Sequence, residues 1–150
     1  MDSDEKTQVN IRTGGLNEGS VLGPFTILKL LGIGGMGAVY LAEQKSPARK
    51  VALKVITKLA SKNPLYLQRF MREMEVSAQL DHPNIVKTYL SAIEEDVPYL
   101  AMAYIDGVPL DYYVSTQNPS LKKKLEIIQS TASADRKSTR LNSSHGKLPR

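Results

Sequence analysis

The sequence feature that most constrains this chain is a cluster of glycines set between two strand-like runs. In "LLGIGGMGAVYLAEQ" (Leu30–Gln44), the segment Gly32-Ile33-Gly34-Gly35-Met36-Gly37 fits G-x-G-x-x-G. Glycines at this spacing let the backbone turn sharply, approach a ligand closely and aim N–H groups at an anion. Alone the pattern is weak, because dinucleotide-binding folds and ordinary turns share it. Its surroundings decide. A dinucleotide fold opens a helix at the glycines and carries an acid about 20 residues further on, for the ribose. Here the strand-like "AVYLAE" follows, and 17 residues after Gly37 comes Lys54, a cation. That suits a phosphate and not a ribose hydroxyl.

Lys54 lies in "KVALKVI", surrounded by Val51, Ala52, Leu53, Val55 and Ile56. A lysine in such a strand is costly unless an anion holds it or its stem snorkels out from a sheet edge. Strand alternation puts Ala52 and Lys54 on one face. Helical texture begins next: Asn63 can cap, Pro64 suits the first helical position, and the run continues to Leu80. Phe70, Glu73, Ser77 and Leu80 share one helix face, with Val76 beside them, while Glu75 points elsewhere. Glu73 is the natural partner for Lys54, the alternative being an ordinary half-buried surface glutamate.

The rest of the chain supplies strands and two further helices. "PFTILKLLG", "AVYLAE" and "KVALKVI" read as three strands, and "IVKTYLSAI", the turn "EEDVP" and "YLAMAYI" as a second hairpin. The expected fold is α+β: a five-stranded antiparallel sheet with one main helix. "DGVP" is a linker and "LDYYV" a short helix. Ser120 caps "LKKKLEIIQSTASA", whose Leu121, Leu125, Ile128 and Ala132 form an apolar stripe opposite the solvated Lys122–Lys124. Residues 1–20 are polar and without period, a flexible leader.

Composition removes several classes of function. A net charge of +5 and a pI near 9.4 invite a nucleic-acid reading. However, five of the 20 basic residues sit in 135–150 against one of the 15 acids, so the rest is close to neutral. No nucleic-acid partner is expected. With no cysteine there is neither a disulfide framework nor a thiolate metal site. The opening "MDSDEKTQVN" is acidic and polar, unlike a signal peptide, and every apolar run is too short to span a bilayer. A cytoplasmic chain with no membrane segment is the expectation.

Taken in order, these residues resemble the N-terminal lobe of a protein kinase, over about Leu22 to Ala134. "GGMGAVY" and "RFMREMEVSAQLDHPNIVKTY" are most similar to bacterial serine/threonine kinases of eukaryotic type. The resemblance implies an N-lobe over 21–105, then the hinge exit and a truncated start of the helical lobe over 106–134. It implies that the loop Gly32, Ile33, Gly34, Gly35, Met36 and Gly37 covers the phosphates of ATP. Lys54 would hold the α- and β-phosphates, with Glu73 orienting it. Leu31, Val39 and Ala52 would sandwich the adenine. Met102 would guard the back of the pocket, and Ala103, Tyr104 and Ile105 would form the hinge whose backbone bonds the base. Ala103 departs from the glutamate usual in the family, at a position where backbone does the bonding. His82, in the "HPN" turn, is expected to be structural.

The motifs that would complete a kinase are missing from the sequence. Neither H-R-D-x-x-x-x-N nor D-F-G occurs, so the aspartate that accepts the substrate's proton and the groups that hold Mg²⁺ are absent. ATP is the expected ligand, Mg²⁺ belongs to a full-length parent, and protein substrates are partners of that parent. The fragment is expected to be inactive. The alternative is a non-catalytic, pseudokinase-like module that binds nucleotide or a partner. Finally, "DRKSTRLNSSH" (Asp135–His145) looks like the in-frame translation of a common sequencing-library adapter, so residues 135–150 are expected to be non-native and the helix to break off near Ala134. The alternative is a natural basic, serine-rich tail.

Overall fold

The computed structural model describes residues 15–35 and 37–144. The expected leader up to residue 14, Met36 and the last six residues lie outside that range. Two compact units divide the chain: Met1–Ala78 with Thr88–Tyr104, and Gln79–Lys87 with Ile105–Arg150.

The first unit is a six-stranded antiparallel sheet of β1 (Val21–Leu22), β2 (Phe25–Ile33), β3 (Gly37–Lys45), β4 (Ala48–Ile56), β5 (Thr88–Glu94) and β6 (Val97–Ala103). Their order is β1-β2-β3-β4-β6-β5. Five strands are those expected from sequence. The sixth, β1, folds back on β2 through Gly23, whose φ of +53° suits glycine. Residues just before it are tied down as well. The Gly19 N–H donates to the Ile27 carbonyl, the Ile27 N–H donates to the Ser20 carbonyl, and Leu16 packs on the core. The last residues of the expected leader, Leu16 to Ser20, are thus tied to the edge of the sheet.

One face of the sheet carries the main core. Ala38, Tyr40 and Ala42 of β3, Val51, Leu53 and Val55 of β4, and Tyr99 and Ala101 of β6 are buried together. Alternation puts the intervening residues on the other face. Phe25 meets the Tyr99 ring edge-on, at 5.9 Å between centroids and 80°. The β5–β6 hairpin closes through Glu95 and Asp96, both left-handed at φ 49° and 63°, as a two-residue turn of matching twist requires.

Two helices belong to this unit where one main helix was expected. The short α1 (Lys58–Ser61) is capped by Thr57, whose hydroxyl accepts from the Ala60 N–H at 3.1 Å. Then α2 (Pro64–Gln79) starts at Pro64, with the Asn63 side chain accepting from the Leu65 N–H. A second apolar cluster of Ile56, Ala60, Phe70, Met74 and Leu100 seats these helices on the opposite face of the sheet.

The second unit holds α3 (Leu110–Gln117) and α4 (Leu121–Ser144). Ser120 caps α4, as expected, its Oγ accepting from the Lys123 N–H. The expected break near Ala134 does not occur; α4 runs on to Ser144. The stretch Asp135–Ser144 holds no glycine or proline and several good helix formers, so nothing in it ends a helix. The expected stripe Leu121, Leu125 and Ile128 is exposed. Its neighbour Ile127 is half-buried, on the side of α4 that meets Asn84. The Asn84 amide donates to the Ser130 carbonyl, and His82 Nε2 lies 3.1 Å from Ser133 Oγ. These bonds accord with the grouping of Gln79–Lys87 with α4, inside the 21–105 range expected for the N-lobe. Among the described residues no helix is long and apolar enough to cross a membrane.

Candidate functional site

The strand register gathers the expected site residues. In β3 and β4, Val39 stands opposite Lys54 and Leu41 opposite Ala52. In β4 and β6, Ala52 stands opposite Met102 and Lys54 opposite Leu100. Directly opposed residues point to the same side. Val39, Ala52, Lys54 and Met102 therefore share the face away from the main core, and all four are half-buried. Helices α1 and α2 cover Ile56 and Leu100 on that face, at its other end.

Lys54 meets Glu73 as expected. Its Nζ donates to both carboxylate oxygens, at 2.6 Å to Oε1 and 2.7 Å to Oε2, with the two side chains 25% and 38% exposed. Two of the ammonium's three donors are used, which leaves one for another acceptor. The Phe70 ring lies beneath, its centroid 6.0 Å from Nζ.

The glycine hairpin closes at one end of this face. Gly32 pairs with Val39 after a register shift that leaves Leu31 outside the ladder, and the Gly34 N–H donates to the Gly37 carbonyl at 2.7 Å. The glycines differ in what they permit. A Cβ on Gly37 would strike the Val55 carbonyl oxygen at 2.0 Å, so the fold itself demands glycine there. A Cβ on Gly32 or Gly35 would meet nothing within 4 Å, and neither has a left-handed backbone. Nothing among the described residues requires glycine at those two positions.

The remaining expected residues are placed as follows. Leu31 and Ile33 are exposed on the β2 side of the hairpin. Ala103 ends β6, and Tyr104 follows it, both half-buried in the first unit. Ile105 belongs to the second unit and is 65% exposed. His82 Nδ1 accepts from the Asn84 N–H at 3.1 Å, which gives this side chain the structural part expected of it. Sequence reasoning missed Met74 and Ala60, which help to seat α2. Met74 follows Glu73 directly, and only its burial marks it out.

A small curled sheet with a glycine hairpin over a lysine that a helix glutamate clasps is the N-terminal lobe of a protein kinase. The chain matches the protein kinase domain over residues 25–134, and it belongs to that family. Its relatives are bacterial serine/threonine kinases. It is 36% identical over 115 residues to serine/threonine-protein kinase PrkC of Bacillus subtilis, across 76% of this chain and 18% of that protein. It is 42% identical over 103 residues to serine/threonine-protein kinase PknD of Chlamydia pneumoniae, across 67% of this chain and 11% of that protein. Among solved structures it is similar to the kinase domain of Mycobacterium tuberculosis PknI, at 27% identity and a TM-score of 0.69, covering 83% of this chain and 51% of that one. The chain thus spans less than a fifth of the length of these curated relatives.

Proposed function

We propose that the face bearing Val39, Ala52, Lys54 and Met102 holds ATP, with the glycine hairpin over its phosphates. The observation that carries this reading is the clasp of Lys54 by both oxygens of Glu73. A lysine oriented in this way offers its remaining donor as a fixed point charge, which is what binding the α- and β-phosphates asks of it. The open space at Gly32 and Gly35 fits the same reading. Leu31, Val39 and Ala52 would grip the adenine, Met102 would close the back, and the backbone at Ala103 and Tyr104 would bond its edge.

ATP would supply the γ-phosphoryl group, and the parent protein would pass it to serine or threonine hydroxyls on proteins. The chain as sequenced positions nucleotide and goes no further. It has no H-R-D-x-x-x-x-N or D-F-G motif, hence neither an aspartate for the hydroxyl proton nor the family's magnesium ligands. In the same reading residues 135–150 are foreign to the kinase. The family match ends at Ala134, and the adapter-like segment begins at Asp135.

Titration with a fluorescent ATP analogue tests the site. Saturable binding that Lys54→Met weakens is expected, and binding indifferent to Lys54→Met would sink the assignment. Phosphate transfer from labelled ATP to a generic protein substrate tests the rest. No transfer above background is expected, and transfer abolished by Lys54→Ala would overturn the claim of inactivity.

A further inference from the structure

We propose that Phe70 is the positioning residue for the Lys54–Glu73 clasp, and that it sets the clasp from within the sheet-bearing unit. The functional meaning of the clasp rests on the ATP reading above; its geometry does not. Phe70 precedes Glu73 by three residues on α2 and so lies on the same face. It is 1% exposed, and its ring sits under the Lys54 ammonium. Met74, directly after Glu73, is 6% exposed and enters the same apolar cluster. Glu73 is therefore bracketed by two buried anchors. A helix turns about 100° per residue, so rotating α2 by one residue would carry the carboxylate away from Lys54. Two anchors, at positions −3 and +1, leave only one rotation in which both stay buried.

The rest of the cluster shows where the seat comes from. Ile56 lies two residues beyond Lys54 on β4, Leu100 stands opposite Lys54 on β6, and Ala60 comes from α1. The strand that carries the lysine and the strand beside it thus form the floor for the helix that carries the glutamate. All five members belong to the first unit. The clasp alone would not hold α2, because a part-exposed ion pair contributes little once side-chain entropy and water are counted. Apolar burial seats the helix, and the ion pair reads out where it sits. Phe70 is the member that touches both tasks, since its ring packs into the cluster and faces the ammonium.

The test is the rate at which an amine-reactive ester labels Lys54, read by mass spectrometry on the full chain without nucleotide, with exposed Lys122 as internal reference. Wild type should label Lys54 about fivefold more slowly than Glu73→Gln does, as befits a charge-assisted bond discounted for exposure. Phe70→Ala should raise the rate to the Glu73→Gln level. Phe70→Leu, which keeps the apolar character and is the variant expected to fold, should raise it most of the way with an unchanged circular dichroism spectrum. Met74→Leu conserves volume in the same cluster and should leave the rate at the wild-type value, whereas a merely structural role would move both. A folded Phe70→Leu chain that labels like wild type would overturn the proposal, and so would equal rates in wild type and Glu73→Gln. Failure of ATP binding with the labelling pattern intact would remove the nucleotide reading alone.

Discussion

Replacing Gly37 and Gly35 by alanine, one at a time, should separate two kinds of glycine that the motif writes with one letter. At Gly37 the new Cβ would lie 2.0 Å from the Val55 carbonyl oxygen and 3.1 Å from the Ile56 Cα, all of it backbone. Gly37 and Ile56 are the pair that ends the β3–β4 ladder. Relief means parting the strands there by more than an ångström, beyond the 2.7–3.2 Å over which an N–H···O bond holds. Losing a terminal bond or two at about 1 kcal/mol each and straining the neighbours gives a cost of about 2–4 kcal/mol. In a domain of this size each kcal/mol is worth roughly 4–8 °C, so the melting midpoint should fall by about 8–32 °C. At Gly35 the Cβ meets nothing within 4 Å, and stiffening the unfolded chain should hold or raise stability by about 0.4–1 kcal/mol. Affinity for a fluorescent ATP analogue should move the other way: Gly35→Ala melts like wild type and binds worse. Circular dichroism melts and a fluorescence titration read both. The reasoning fails if Gly37→Ala melts with wild type, or if Gly35→Ala costs as much stability as Gly37→Ala.

Four further outcomes are expected. Lys54→Met should weaken binding of the analogue at least about tenfold while changing stability by no more than ~1 kcal/mol, since the ion pair it removes is part-exposed; urea unfolding and titration on one preparation check both. Burial first, and Glu94 second, push the Tyr99 phenol above its ordinary 10.0. The folded chain then keeps a proton that the unfolded chain releases, so stability is full below about pH 10 and declines above it. Tyr99→Phe should flatten that alkaline decline, and urea midpoints that fall equally in both chains would refute it. Asn63→Ala removes the acceptor for the Leu65 N–H at the start of α2 and should cost about 1 kcal/mol, read as a drop in the melting midpoint. Sequencing genomic DNA past codon 134 should return codons that lead to H-R-D-x-x-x-x-N and D-F-G in place of the adapter-like segment. A continuing gene without those motifs would instead favour a non-catalytic, pseudokinase-like parent.

Much of the site was legible because its chemistry is written in residue types that are costly out of place. A lysine among Val51, Leu53 and Val55 needs an anion, and a glutamate on the face of Phe70 needs a cation, so each predicts the other. The structure joins them at 2.6 Å. What stayed hidden has no such signature. The strand β1 is two residues long and depends on Gly23 turning back over Tyr99, a tertiary event with no period to detect. Helix α1 is four residues held by one Thr57 cap, too short for any helical periodicity. The stripe Leu121, Leu125 and Ile128 of α4 is exposed, and the polar anchors Ser130 and Ser133 decide which side meets the "HPN" turn. Hydrogen bonds to a loop 46 or 51 residues away leave no trace in a local pattern.

One strand shows why site and core could be read together. Along β4, Val51, Leu53 and Val55 enter the main core, while Ala52, Lys54 and Ile56 face the other way. The side-chain period is two, so a slip of one residue would put Lys54 into the core and lift Leu53 onto the site. A charge inside that core would cost several kcal/mol, and the lost leucine burial about 2 kcal/mol more. The core therefore holds the register, and the register holds Lys54 opposite Val39 and Leu100, within reach of Glu73. Substitutions that thin the core near this strand, such as Leu53→Ala, should loosen the clasp without touching it. Their mark would be faster labelling of Lys54 at temperatures well below the melting transition. Equal labelling up to the transition would mean that the helix side alone, through Phe70 and Met74, keeps the pair together.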